Sequence, residues 1–189
     1  RSMTGYELEM FVLDSQGRLT DADPLIRKAR RKKLDVKKES AKSILEAVCL
    51  PHSRLSSTSK NFLNIISQTV EIAEDSDHHL YPFATYPGKN SPEFRKQKRY
   101  KDQKKLFGKK FINAGLCCGY HQHYTLPRGT FDPKSRFLSY KPSSKVKRTL
   151  IDSYNMLVAM DPIITTITQS SPFVNNKYLA RDSRMLLYR

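Results

Sequence analysis

Two acidic residues near the start of the chain are spaced to act together. Glu7 and Glu9 lie two positions apart in a segment, Tyr6 to Leu13, whose alternating pattern predicts a β-strand. Side chains at this spacing share one face of a strand, so the two carboxylates could bind one hard cation. The opposite face is apolar and is expected to pack under helices. Two solvated acids on a half-exposed strand are the alternative interpretation.

Two histidines repeat this spacing later in the chain. His121 and His123 fall in a second predicted strand, Phe111 to Pro127. Imidazoles on one strand face could ligate a metal or donate hydrogen bonds to phosphate and carboxylate oxygens. Gly119 leaves room beside them for a ligand. Zinc binding with Cys117 is a weaker interpretation, because the sequence has no second cysteine pair at the usual zinc spacing. A surface pair without a function is the remaining alternative.

A third group of candidate residues is basic. Arg181 and Arg184 lie three positions apart, on one face if this stretch is helical. Guanidinium groups bind phosphate or carboxylate through paired hydrogen bonds, whereas salt bridges to glutamate would be purely structural.

Two further histidines, His78 and His79, are adjacent in an extended segment. Their side chains are therefore expected to diverge, and no site is predicted there.

Composition narrows the classes of protein. The 189 residues suit one domain, and 38% hydrophobic residues are enough for a core, which excludes a disordered tail. The net charge of +16 and the pI near 9.8 suggest polyanionic partners: nucleic acid, a nucleoside triphosphate or an acidic chain. A solubilising basic surface is the alternative.

Cysteine usage and hydropathy bear on the compartment. Three cysteines, two of them adjacent, do not make a disulfide framework and favour a reducing cytoplasm. No apolar run approaches the roughly 18–20 residues of a membrane span, and no signal-peptide pattern opens the chain. We therefore expect a cytoplasmic protein without a membrane partner.

The order of the predicted strands and helices along the chain indicates an α+β fold, with helices on one face of a mainly antiparallel sheet. Residues 43–50, ended by Pro51, fit either a short strand or one helical turn. Residues 27–38 form a basic run, and 75–90 form a loop. Three helices are predicted: Ser57 to Glu74 with a Ser57-Thr58 cap, Ser91 to Lys105, and Ser144 to Met160, which ends or bends at Asp161-Pro162.

Several of these segments occur in an order that resembles a known family. They are Gly5-Tyr6-Glu7-Leu8-Glu9, Glu46 in the strand before Pro51, Gly119-Tyr120-His121-Gln122-His123, Ser170-Ser171-Pro172-Phe173, and Ala180 to Arg184. Leu80 to Ala84 keeps only the end of a further motif. Together they resemble the glutamate–cysteine ligase family and its carboxylate–amine ligase relatives.

The resemblance implies a glutamine-synthetase-like fold, in which the concave face of a curved antiparallel sheet holds ATP, Mg²⁺ (with Mn²⁺ as an alternative) and an amino acid. It also implies that residues 43–50 are a strand. The implied roles are metal binding by Glu7, Glu9 and Glu46, catalysis by His121, Arg181 and Arg184, and nucleotide binding by His123 and Arg184.

The activity implied is an ATP-dependent ligase of the glutathione-biosynthesis type, which joins a carboxylate, expected to be glutamate, to an amine such as cysteine through an acyl phosphate. Family members are longer than this chain. We therefore expect residues 1–189 to be one domain, the N-terminal portion of the catalytic domain, completed by a second half or a homo-oligomer. The alternatives are a basic nucleic-acid-binding module and a non-catalytic half that pairs with a second ligase subunit.

Overall fold

The computed structural model describes residues 3–125, 131–132, 134–138 and 144–187. Its main sheet is built around one long strand, β1, which pairs with β3, β4 and β5. All pairings in the sheet are antiparallel, with the order β2-β3-β1-β4 and with β5 also paired to β1. The strands are β1 (Thr4–Asp14), β2 (Val36–Lys38), β3 (Ile44–His52), β4 (His78–Tyr81) and β5 (Tyr120–Tyr124).

Both edges of β1 are hydrogen-bonded along most of its length. β3 pairs with one edge, from Thr4 to Phe11. On the other edge β5 pairs with positions 4–8 and β4 with positions 11–14, so these two short strands lie end to end. Between them, the backbone N–H of Glu9 donates to the carbonyl of Gly119 at 2.9 Å. The register of three neighbouring strands is thereby set against β1.

The helices α1 (Asp23–Arg31) and α2 (Leu55–Glu74) cover the apolar face of the sheet. Met10 and Val12 of β1 are almost fully buried there, together with Leu25 and Ile26 of α1. The predicted α+β class, with helices on an antiparallel sheet, is confirmed. The basic run 27–38 contains the end of α1 and all of β2, neither of which was predicted. No helix in the described part of the chain is long and apolar enough to cross a membrane.

The start of α2 differs from the prediction. The Ser57-Thr58 cap is wrong, because the helix begins at Leu55 and Arg54 takes the capping position in an extended conformation. Thr58 is fully buried, and its hydroxyl donates to the carbonyls of Thr4 and Arg54, each at 3.1 Å. A buried hydroxyl needs such a partner, so Thr58 joins the helix to β1.

The helix predicted from Ser91 is also wrong over its first turns. The helix α3 runs over Lys98–Phe107, and residues 91–97 are not helical. Phe94 pairs with Ala41 instead, and the side chain of Arg95 is buried among backbone carbonyls. These long-range contacts override a favourable local helix start. The loop predicted at 75–90 contains β4.

The long strand predicted from Phe111 to Pro127 is wrong over its first part, since among the described residues 111–125 only Tyr120–Tyr124 form a strand. A 3-10 helix, Gly108–Gly115, precedes it. There the ring of Phe111 packs against Phe94 with centroids 4.6 Å apart. Pro127 lies outside the described residues.

The last predicted helix continues beyond its expected end. The helix α4 covers Ser144–Ile167 and contains Pro162, which removes one backbone N–H without ending the helix. Asn175 and Asn176, both with positive φ, form the turn of a hairpin. The remaining elements are β6 (Phe131–Asp132), β7 (Phe137–Leu138), β8 (Phe173–Val174), β9 (Lys177–Tyr178) and α5 (Ser183–Leu187).

Candidate functional site

The face of the sheet that lies away from α1 and α2 carries a group of acids, which we call the acid face. β1 places Glu7 and Glu9 on it, as the strand period predicts. In the sheet register Glu9 lies opposite Glu46 of β3, and Glu7 lies opposite His121 of β5. Cross-strand partners project from the same side of a sheet. Four of the predicted site residues are thus brought together by backbone pairing alone.

Two sets of three side chains on the acid face have ligand atoms within 4.8 Å of one another. One set is Glu7, Glu46 and His121, and the other is Glu9, Glu39 and Glu46. Glu46, only 8% exposed, belongs to both sets. Sequence reasoning missed Glu39, which lies just after the basic run and follows no pattern of its own.

Burial and mutual repulsion change the protonation of these acids. The pKa of Glu46 is raised from 4.5 to about 7, first by burial and then by the charges of Glu7 and Glu39. The pKa of Glu9 is also raised to about 7, again mainly by burial and then by Glu39, although a hydrogen bond from Gly119 opposes the change. Carboxylates placed this closely are costly when charged, and a bound cation would remove that cost.

Glu7 connects the two histidines. The Oε2 atom of Glu7 lies 2.8 Å from Nε2 of His123 and 3.8 Å from Nδ1 of His121. The two rings lie edge to face with centroids 6.4 Å apart, and both are exposed to solvent on one side. His121 belongs to one of the two ligand sets, whereas His123 belongs to neither and is hydrogen-bonded to Glu7.

Gly119 lies at the boundary between the acid face and Arg184. Its backbone N–H donates to Oε2 of Glu9 at 2.8 Å. A Cβ atom at this position would lie 2.9 Å from Nε2 of His121 and 3.2 Å from Nη2 of Arg184. Both side chains therefore approach the backbone where the sequence has glycine, as expected for a position that leaves space for its neighbours.

The two predicted arginines are in different surroundings. Arg184, in α5, reaches the site beside Gly119. Arg181 is exposed and precedes this helix, so the two residues do not share a helical face. The proposed zinc ligand Cys117 is in neither ligand set, and burial raises the pKa of its thiol to about 12.

A cavity of about 370 Å³ opens next to Gly119, between the sheet and α4. Its walls carry charges of both signs, from Arg184 and from Asp161 and Asp182, together with the hydroxyls of Thr165 and Thr168. This volume lies in the range of about 300–1,000 Å³ that is usual for sites of small molecules.

No curated protein matches this chain. Among solved structures it is similar to a bifunctional glutathione synthetase from Pasteurella multocida, with 16% sequence identity and a TM-score of 0.49. That similarity covers 67% of this chain and 17% of the other. The model of glutamate-cysteine ligase family 2 matches residues 3–188, which is nearly the whole chain. This chain therefore belongs to glutamate-cysteine ligase family 2.

Proposed function

We propose that this chain forms part of the active site of an ATP-dependent ligase that joins a carboxylate, glutamate, to an amine such as cysteine. The observation that carries the proposal is the carboxylate of Glu46, which is shared by two sets of three potential ligands. Glu46 would help to hold a divalent cation in either set, and such cations would offset the negative charge of a bound polyphosphate. Membership in a ligase family supports the same chemistry.

The donor atoms fit Mg²⁺ or Mn²⁺. Carboxylate oxygens, with one imidazole nitrogen, are ligands of hard divalent cations, whereas no cysteine is part of either set. The raised pKa values of Glu9 and Glu46 support the fit, since burial makes the charged forms of both groups unfavourable and a nearby cation would favour them. When bound, the cations neutralise charge on the phosphates of ATP.

The reaction needs positioning more than covalent catalysis by the protein. A substrate carboxylate attacks the γ-phosphate of ATP, which forms an acyl phosphate and releases ADP. The amine then displaces phosphate from the acyl carbon and loses a proton, which forms the amide. The guanidinium of Arg184 lies beside His121, where it can bind phosphate or carboxylate oxygens. Glu7 holds His123, which we assign to nucleotide binding. Arg181 is proposed to bind substrate oxygens from the exposed rim.

The cavity next to Gly119 supports an amino acid as the substrate. An amino acid carries one carboxylate and one ammonium group. The walls of the cavity offer the guanidinium of Arg184 for the first, and the carboxylates of Asp161 and Asp182 for the second.

We further propose that the sheet belongs to a glutamine-synthetase-like catalytic domain, of which residues 1–189 are the N-terminal portion. A second half or a second copy of the chain would supply the remaining ligands of the site. In the cell such a ligase would act in the cytoplasm, in glutathione-type biosynthesis.

The experiment is an assay of phosphate release from ATP and Mg²⁺, with glutamate and other carboxylates tested against cysteine and other amines. The assay is run in two formats: with this chain alone, and with this chain together with the product of any neighbouring gene. Glu7→Gln and His121→Ala should each abolish turnover without unfolding, whereas Glu71→Gln and His79→Ala, at exposed positions, should not change it.

Unchanged turnover in both site variants would remove these residues from the mechanism. No turnover in either format, together with tight and salt-sensitive binding of RNA or DNA, would replace the ligase with the nucleic-acid-binding alternative.

A further inference from the structure

Arg95 is a buried cation outside the two ligand sets. The residue is only 7% exposed. Its guanidinium donates hydrogen bonds to four backbone carbonyls in the segment that leads into β3: Glu39, Ala41, Lys42 and Ile44. Few side chains could make these contacts, because arginine alone offers five N–H donors in a rigid plane.

The charge of this guanidinium is compensated at the start of α1. Nη2 and Nε of Arg95 donate to Oδ1 of Asp23 at 2.7 and 3.1 Å. Asp23 also forms an ion pair with Lys38 of β2 at 2.6 Å. A buried charge with one partner removed is strongly destabilising, so Arg95 and Asp23 act as a pair.

The backbone on either side of Arg95 holds the same segment. The N–H of Arg95 donates to the carbonyl of Ser40 at 2.9 Å, and the N–H of Lys42 donates to the carbonyl of Glu93 at 2.8 Å. Residues 39–43 belong to no helix or strand of the main sheet. Their conformation is therefore held by tertiary contacts, and those with Arg95 and its neighbours are among them.

The segment held in this way carries Glu39, whose carboxylate lies within 4.8 Å of ligand atoms of Glu9 and Glu46. We propose that Arg95 is a positioning residue for the cation site formed by Glu9, Glu39 and Glu46. It fixes the backbone at Glu39 and thereby keeps this carboxylate within reach of the ion. The inference rests on the proposed function, in which that set of ligands binds a divalent cation.

The test is titration of the protein with Mn²⁺ alone, with free Mn²⁺ measured by electron paramagnetic resonance. The unmodified chain should bind two ions. Arg95→Lys keeps the charge but loses the planar set of N–H donors. The ion held by Glu9, Glu39 and Glu46, here called the second ion, should then bind at least about tenfold more weakly. The affinity for the first ion, held by the other set, should be unchanged. Arg27→Lys, at an exposed position of α1, is the matched control and should bind both ions normally.

A double variant tests whether Arg95 acts through Glu39. Glu39→Gln should weaken the second ion by itself, and adding Arg95→Lys should weaken it no further. Additive losses would overturn the inference. So would equal weakening of both ions in step with loss of the circular dichroism signal, since that result indicates a role in folding only.

The outcomes also separate this inference from the function on which it rests. An unmodified chain that binds no Mn²⁺ would contradict the proposed function itself. Two ions bound with unchanged affinity in Arg95→Lys would overturn the positioning role alone. If that variant does not fold, Asp23→Asn, which weakens the contact at the other end of the guanidinium, should still weaken the second ion, and unchanged binding would overturn the inference.

Discussion

Replacing Glu46 with glutamine should stabilise the protein at alkaline pH when no divalent cation is present. Glutamine has the shape of the protonated carboxyl and cannot become charged. The pKa of Glu46 is raised from 4.5 to about 7, mainly by burial and further by Glu7 and Glu39. The difference of about 2.5 corresponds to about 3 kcal/mol, at about 1.36 kcal/mol per pH unit.

The sign follows from proton binding. The folded state holds the proton of Glu46 more tightly than the unfolded state, so the stabilising contribution is complete below pH 4.5. It is lost as the pH rises towards 7 and beyond. With a chelator present, the Glu46→Gln variant and the unmodified protein should be nearly equal in free energy of unfolding at pH 4. At pH 8 the variant should be more stable by about 3 kcal/mol.

The assay is thermal unfolding followed by circular dichroism at pH 4, 6 and 8 in the presence of a chelator. For a chain of this size about 3 kcal/mol corresponds to roughly 6–12 °C in melting temperature. Glu71→Gln, at an exposed position of α2, controls for the loss of one negative charge. Saturating Mn²⁺ at pH 8 should reverse the order, because the variant lacks the shared ligand. Parallel pH profiles of the two proteins in chelator would refute the reasoning.

Two further predictions concern the surroundings of the acid face. Gly119→Ala should lower the rate of phosphate release by roughly 100-fold with little change in melting temperature, because its Cβ would displace His121 and Arg184. Normal turnover would contradict the close approach of these two side chains to the backbone at Gly119. Burial raises the pKa of the Cys117 thiol to about 12. At pH 8 this thiol should therefore react with a thiol reagent far more slowly in the native protein than in guanidinium chloride. Equal labelling rates, followed by absorbance, would contradict its burial.

The parts of the site that could be predicted from the sequence depend on strand period. Glu7 and Glu9 share a face because side chains in a strand alternate, and the same rule applies to His121 and His123. Pairing of Glu9 with Glu46 could not be derived from local pattern, and only the resemblance to a family brought Glu46 into the site.

Two of the misses, the helix start at Ser91 and the candidate ligand Glu39, share a physical cause, which is competition from distant contacts. Ser91-Pro92-Glu93 is a favourable helix start, but the backbone there hydrogen-bonds to residues 40–42 instead. Glu39 was missed for the same reason, since its position depends on a guanidinium 56 residues away in the sequence. The helix α4 also continues past Pro162, whose missing N–H removes one backbone hydrogen bond.

The pairing of both edges of β1 has a consequence for insertions and deletions. A slip of one residue would exchange the two faces of the strand and move Glu7 and Glu9 into the apolar layer under α1 and α2. Loss or gain of one residue between positions 5 and 13 should therefore prevent folding rather than merely weaken cation binding. Added residues in the turn at Ser15 to Gly17 would leave this alternation intact. The length of the strand is thus as tightly constrained as the identity of its acids.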